Sequence, residues 1–324
     1  MKAMVCPALG QNLQVETRTL ALLEMGHVRI KVVAAGVNFA DTLLLTGNYQ
    51  EKLAPPFIPG FELSGIVTEV ASDVSSCKVG DRVLAAVIGG AWAEEAVAHW
   101  HDVHVLPDHL DLVQAAGFPI AYGTSHLALL KAHLQHGETL VVHGASGGVG
   151  LTAVEIGAGI GANVIACASS PEKLSIALDH GAAHGLNSKS ENLRDQIKSL
   201  TNGKGADVTY DPVGGSAFDE SLRSTKHGGR IIVIGFASGT IPQIPANILL
   251  VKNISVLGFS WNAYRHIDPS LMRHSLEGCI GLWAAGKLKP HVSQILPLEQ
   301  ASAALDLLKN RTATGKVILQ VAER

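Results

Sequence analysis

The chain has 324 residues, of which 47% are hydrophobic, 16% charged and 5% aromatic. That composition supplies one or two sizeable cores and excludes a disordered protein, and the length alone leans to two domains. A formal charge of 25 − 28 = −3, with no long basic run, gives a nucleic-acid or anionic-membrane partner no electrostatic support.

In chain order, the first 118 or so residues are dense in short strands and Gly/Pro punctuation. Residues 27–34 alternate as a strand does, 64–70 form another, and 79–86 join a glycine turn to a third. Pro55, Pro56 and Pro59 exclude a helix between them. From residue 112 the period changes. Residues 112–134 carry apolar side chains at helical spacing. Strands are then expected at 140–142, 163–167, 207–210, 230–235 and 254–259, and helices at 149–160, 171–180, 192–200 and 216–225. Alternation of this length implies a parallel sheet covered on both faces. Helices at 269–285 and 298–308 precede a last strand at 316–321.

Cys6, Cys77, Cys167 and Cys279 are scattered, which argues against a disulfide framework or a structural zinc lobe and reads them as small apolar fillers. Met1-Lys-Ala-Met-Val-Cys-Pro7 has no signal-peptide apolar region, and no run of 18 apolar residues exists. The expectation is a cytoplasmic protein without a membrane span.

The strongest local signal is the apolar run 140–142, followed by Ala145-Ser-Gly-Gly-Val-Gly150 and a helical pattern. Strand, glycine turn and helix in that order point to a dinucleotide site over Ala145, Ser146, Gly147, Gly148, Val149 and Gly150. Gly147 lets the backbone approach a pyrophosphate, Gly150 lets the helix pack on its strand, and the helix N terminus offers free N–H groups. An acid that binds the ribose 2′-hydroxyl of NAD belongs at the end of the next strand, where this chain has Ala168. Ser169, Ser170 and Lys173 instead suit a 2′-phosphate, so NADPH is the expected cofactor. Glu172 opposes that charge. Gly235 and Phe236, and then Phe259, Ser260 and Trp261, follow strands whose carboxyl ends are the ligand-binding edge of such a sheet. Trp261 fits either a substrate contact or core packing.

Five motifs occur in order: Gly36-Val-Asn-Phe-Ala-Asp41, Pro59-Gly-Phe-Glu-Leu-Ser-Gly65, Lys78-Val-Gly-Asp-Arg-Val83, Ala145-Ser-Gly-Gly-Val-Gly150 and Thr314-Gly-Lys316. With them the chain resembles the zinc-free quinone oxidoreductases among the medium-chain dehydrogenases/reductases, over almost its whole length. The resemblance implies an α/β protein. A Rossmann doubly wound parallel sheet (119–259) binds NADPH, and a GroES-like, mostly-β catalytic domain is made of 1–118 and 260–324.

Zinc-using relatives place a cysteine at Asn38 and a histidine at Phe61, neither of which is replaced here by a good zinc ligand. His99, His101 and His104 form no helical ligand pattern, so no metal is expected. Without a Lewis acid, reduction of a quinone or an α,β-unsaturated carbonyl fits better than reduction of a simple carbonyl. By resemblance, Asn38 donates to substrate or ribose and Tyr49 lies beside the nicotinamide. Asp41 orients the loop, or simply opens a helix. Thr124 meets the cofactor, and Arg311 is a second phosphate contact or a solvated helix-end residue. An enoyl-thioester reductase and a non-catalytic, crystallin-like NADPH-binding protein are the alternatives. A homodimer is expected from the apolar segment 241–251 beside the strand 254–259, which lies at the sheet edge.

Overall fold

The computed structural model describes residues 1–20 and 22–322. Its elements run β1 (Lys2–Val5), β2 (Gln14–Thr17), β3 (His27–Val37), α1 (Phe39–Leu45), β4 (Glu62–Val70), β5 (Arg82–Ala86), β6 (Glu95–His99), β7 (Val103–Val105), α2 (Leu112–Ala115) and α3 (Phe118–Lys131). They continue with β8 (Thr139–His143), α4 (Gly148–Ile160), β9 (Asn163–Ala168), α5 (Pro171–Asp179), β10 (His184–Asn187), α6 (Leu193–Leu200), β11 (Ala206–Asp211), α7 (Ser216–Ser224) and β12 (Thr225–Val233). Last come α8 (Ala246–Lys252), β13 (Ser255–Gly258), α9 (Tyr264–Ile267), α10 (Pro269–Ala284), β14 (Val292–Pro297), α11 (Ala301–Lys309) and β15 (Lys316–Gln320).

Two compact units result. The first is Met1–Ala121, Leu276–Gly286 and Pro290–Arg324; the second is Tyr122–Ser275 and Lys287–Lys289.

The first unit is built on a seven-stranded sheet in the order β14-β15-β3-β4-β5-β7, with β6 also pairing β3. Alternation in β3 puts Val28, Ile30, Val32 and Ala34 inside while Arg29 and Lys31 face outward. Val28, Ile30 and Val32 pack with Phe61, Leu63, Trp92 and Leu305, and Ala34 packs with Val113, Ala116 and Ile318. Each fully buried Leu, Ile or Phe contributes about 1.5–3 kcal/mol. The C-terminal strand β15 lies antiparallel to β3, with Val317 opposite Val37. That register carries Lys316 to the end of β3, where α1 begins.

The second unit has a six-stranded sheet in the order β10-β9-β8-β11-β12-β13. All its pairs are parallel. Counting β8 as the first strand, this is the doubly wound 3-2-1-4-5-6 order, and strand order reverses between β8 and β11. Near-continuous apolar strands and the helix α6, which buries Leu193 and Ile197 against Val141 and Ile165, fit a sheet covered on both faces. β13 is an edge strand. β12 begins at Thr225, earlier than its alternation indicates, and ends at Val233, so Gly235 and Phe236 lie in the loop beyond it. Among the described residues no helix is long and apolar enough to cross a membrane.

Candidate active site

In the second unit, β8 ends in a buried His143 and the chain turns at Gly144, whose φ is +58°. The Ala145 N–H donates to Cys167 O at 3.1 Å, tying the loop to β9. A Cβ on Gly150 would fall 2.1 Å from Gly144 O, so only glycine lets α4 pack this close to its own strand. A Cβ on Gly147 would meet only that same oxygen, at 3.4 Å, leaving its backbone open. Gly147 is the N-cap of α4; no side chain among the described residues caps it, and the first turn holds no acid. Helix N termini leave unsatisfied N–H groups and a partial positive charge, so this one suits a pyrophosphate. Ala145 and Ser146 are buried beneath the loop, while Gly147, Gly148 and Val149 are half-buried.

At the end of β9, Ala168 is buried and carries no carboxylate. Ser170 caps α5, its Oγ accepting from Lys173 N at 3.4 Å, with Pro171 at the first helical position. Ser169, Ser170 and Lys173 are half-buried. The exposed Glu172 carboxylate lies below its ordinary pKa, chiefly through a hydrogen bond with Ser170. The opposing acid is therefore held on the same serine as the expected 2′-phosphate.

At the end of β11, the buried Asp211 carboxylate accepts from the N–H groups of Val213 (2.8 Å) and Gly214 (3.0 Å) through Oδ1, while Oδ2 has no partner among the described residues. Burial lowers the pKa of His143, whose Nε2 lies 3.0 Å from Ser221 Oγ. Gly235 and Phe236 pack over this turn: Ala237 N–H donates to Pro212 O at 3.1 Å. Phe259 continues from β13, with its N–H on Val233 O at 3.0 Å and its ring 5.5 Å from that of Tyr264; Ser260 is exposed. Trp261 is buried on Gly123, beside the buried Thr124, and its Nε1–H has no partner among the described residues. The loop set by β11 carries no motif, although the rule that strand carboxyl ends bind ligands points to it.

In the first unit, Asn38 ends the extended run of β3 and is the N-cap of α1. Its N–H donates to Asp41 Oδ2 at 2.7 Å, so Asp41 holds the helix start, as a residue in the first turn of a capping box does. Asp41 is fully buried, and burial pushes its pKa up to about 8 against the opposing influence of the Asn38 N–H, of Lys316 and of the Gly60 N–H.

Two residues absent from the sequence-derived site complete this cluster. Asn38 Nδ2 donates to Glu62 Oε1 at 2.8 Å, and Lys316 Nζ donates to Asn38 Oδ1 at 2.6 Å and to Val37 O at 3.1 Å. Lys316 Nζ also pairs with Glu62 Oε1 at 2.8 Å, and Glu62 Oε2 accepts from Ile120 N. Tyr49 is half-buried, with its ring 5.1 Å from that of the buried Phe61. Arg311 is exposed in the turn after α11, with φ +55°. His99 and His101 stack with Trp100, and His104 Nδ1 lies 3.9 Å from Glu277 Oε1. Among the described residues, no group of three or more His, Cys, Asp or Glu is placed to hold a metal ion.

Residues 24–108 match the family described as alcohol dehydrogenase GroES-like domain, and residues 148–276 that described as zinc-binding dehydrogenase. The chain is 42% identical, over 99% of its length and 89% of the other's, to the quinone oxidoreductase-like protein 2 homolog of Nematostella vectensis. The chain belongs to the quinone oxidoreductase family. Solved structures agree on the fold of this family member, a Rossmann-type and a GroES-like domain within the medium-chain dehydrogenases/reductases. The Escherichia coli quinone oxidoreductase complexed with NADPH superposes with a TM-score of 0.92 at 28% identity, covering 99% of this chain and 100% of that one. The Thermus thermophilus quinone oxidoreductase, also solved with NADPH, gives 0.87 at 33% identity, with 99% and 100% covered.

Proposed function

We propose that this oxidoreductase reduces quinones or α,β-unsaturated carbonyls with NADPH and without a metal. The observation that carries the cofactor is the uncapped N terminus of α4 beneath a glycine loop, together with Ala168 where an NAD-selective acid would stand. Relatives solved with NADPH support the same choice. Gly147, Gly148, Val149 and Gly150 hold the pyrophosphate, with Ala145 and Ser146 shaping the loop. Ser169, Ser170 and Lys173 serve the 2′-phosphate. Thr124, Gly235, Phe236, Phe259 and Ser260 serve the nicotinamide half. When bound, NADPH supplies the hydride.

An acceptor conjugated to its carbonyl spreads the incoming charge itself, so one or two placed hydrogen bonds suffice. Asn38 offers its second amide hydrogen and Tyr49 its phenol, while Asp41 holds the helix start under Asn38. The donor set disfavours zinc. Phe61 has no ligand atom, and Asn38 already shares Glu62 with the ammonium of Lys316, a cation where a metal would need another. Names of relatives support a quinone acceptor.

Oxidation of NADPH followed at 340 nm, with quinones, enones and enoyl thioesters and with a chelator present, tests this reading. Turnover of quinones or enones that survives chelation is expected. Turnover confined to enoyl thioesters, none at all with tight NADPH binding, or loss with the chelator would replace it. The scattered positions of Cys6, Cys77, Cys167 and Cys279 along the sequence support a cytoplasmic setting. The unpaired outer edge of β13 supports a homodimer in which that strand would pair with its copy.

A further inference from the structure

The cluster at the start of α1 joins residues far apart in sequence: Asn38, Glu62 at the start of β4, and Lys316, which is 278 positions from Asn38. Lys316 Nζ, Glu62 Oε1 and the two ends of the Asn38 amide close a ring of contacts between 2.6 and 2.8 Å. Glu62 is wholly buried, and Asn38 and Lys316 are nearly so.

The chemistry of the partners leaves the amide one orientation. An ammonium only donates, so it must meet Oδ1; a carboxylate accepts from Nδ2. Turning the amide over would set NH2 against NH3⁺ and carbonyl oxygen against carboxylate, inside a region with little water to screen either clash. Lys316 is itself anchored, by Val37 O and by the pairing of β15 with β3. Glu62 is anchored by Ile120 N at the start of α3. Among the described residues, the second Nδ2–H of Asn38 meets no acceptor.

We propose that Lys316 is a positioning residue: with Glu62 it fixes the Asn38 amide so that an N–H, rather than the carbonyl oxygen, meets the acceptor. This rests on the functional reading above for what Asn38 does, though not for how Asn38 is held. A buried ion pair is weak evidence for stability, because desolvation offsets its attraction. A role in fixing a neighbour is what such a pair suits.

Two arms test it. The first needs no acceptor. The Asn38 side-chain NH2 signals of the 15N-labelled protein, identified by their loss in Asn38→Ala, should exchange slowly with deuterium. In Lys316→Met that protection should fall at least tenfold while main-chain amides of β3 keep theirs. The second arm is a double-mutant cycle on turnover. Asn38→Ala and Lys316→Met should each lower kcat by about tenfold to a hundredfold, as loss of one placed donor does. The double variant should be no slower than Asn38→Ala. Lys316→Arg, which keeps charge and donors, should recover both protection and rate.

Additive losses, or Lys316→Met with the Asn38 signals still protected, overturn the proposal. So does Lys316→Arg that restores the melting temperature but neither protection nor rate, which would mark a purely structural lysine. Should Lys316→Met not fold, the Arg variant and Lys316→Gln carry the same comparison. A wild type that oxidises no NADPH with any acceptor defeats the functional reading, while the exchange arm still decides the positioning.

Discussion

Tyr49 offers the simplest test of a single group. Its ring leans on Phe61, so Tyr49→Phe keeps the packing and removes only the hydroxyl. Turnover should fall about tenfold to a hundredfold with NADPH affinity and melting temperature unchanged; an unchanged rate would leave Tyr49 a packing residue. Lys173 tests cofactor choice. It stands at the start of α5 behind Ser170, opposed by the Glu172 carboxylate that Ser170 also holds. One charge-assisted contact is worth about 1.5–3 kcal/mol, so Lys173→Ala should weaken NADPH about tenfold to a hundredfold and leave NADH nearly untouched. Fluorescence titration with both cofactors decides, and equal weakening would remove the lysine from the phosphate site. Asn38 and Asp41 were legible in the sequence because they share one short motif. Glu62 and Lys316 stood in recognisable motifs too, but nothing local joins them to Asn38. Only the register of β15 on β3 and of β4 on β3 brings the four together.

The glycine loop shows an element read correctly for a physical reason. A strand, a turn and a helix must meet within a few residues, and each leaves its own period in the sequence. Gly150 is the point where all three touch. Because a Cβ there would fall 2.1 Å from main-chain oxygen, Gly150→Ala should force α4 away from β8. Loss of NADPH binding with a lower melting temperature is expected; a variant that binds normally would mean the loop does not hold the cofactor. Elements with weak burial were silent. β10 reads His-Gly-Leu-Asn and buries none of the four, β14 is likewise only partly covered, and α8 follows two prolines with no buried residue of its own. Periodicity records which face is buried, so a segment that buries none leaves no period. The early start of β12 was missed similarly, since its first half runs through Gly228 and Gly229.

Two expectations concern the molecule as a whole. The first is the pH dependence of its stability. An unfolded Asp titrates near about 3.9, whereas burial pushes Asp41 up to about 8 in the fold, where it faces Lys316 and Glu62 and the N–H groups of Asn38 and Gly60. Between those values the native state binds the extra proton, so this residue's contribution to stability falls as pH rises through the window and levels off above it. Asp41→Asn cannot ionise, and its carbonyl can still accept from the Asn38 N–H. It should therefore melt above the wild type at pH 8, with the difference shrinking towards pH 5; a difference that grows on acidification would reverse the sign. The second is assembly. β13 leaves one side of the parallel sheet unpaired, and next to it α8 exposes Leu250 at 79% and Val251 at 71%, with Ile241 at 65% just before the helix. An apolar edge of this kind needs cover. Two copies of β13 related by a twofold axis would supply it and close the assembly, because each edge is then used once. Sedimentation at micromolar concentration should give twice the chain mass of 33.9 kDa. Leu250→Lys with Val251→Lys, both on the open face, should yield a folded monomer. A wild-type monomer, or a dimer indifferent to those two charges, would place the cover elsewhere.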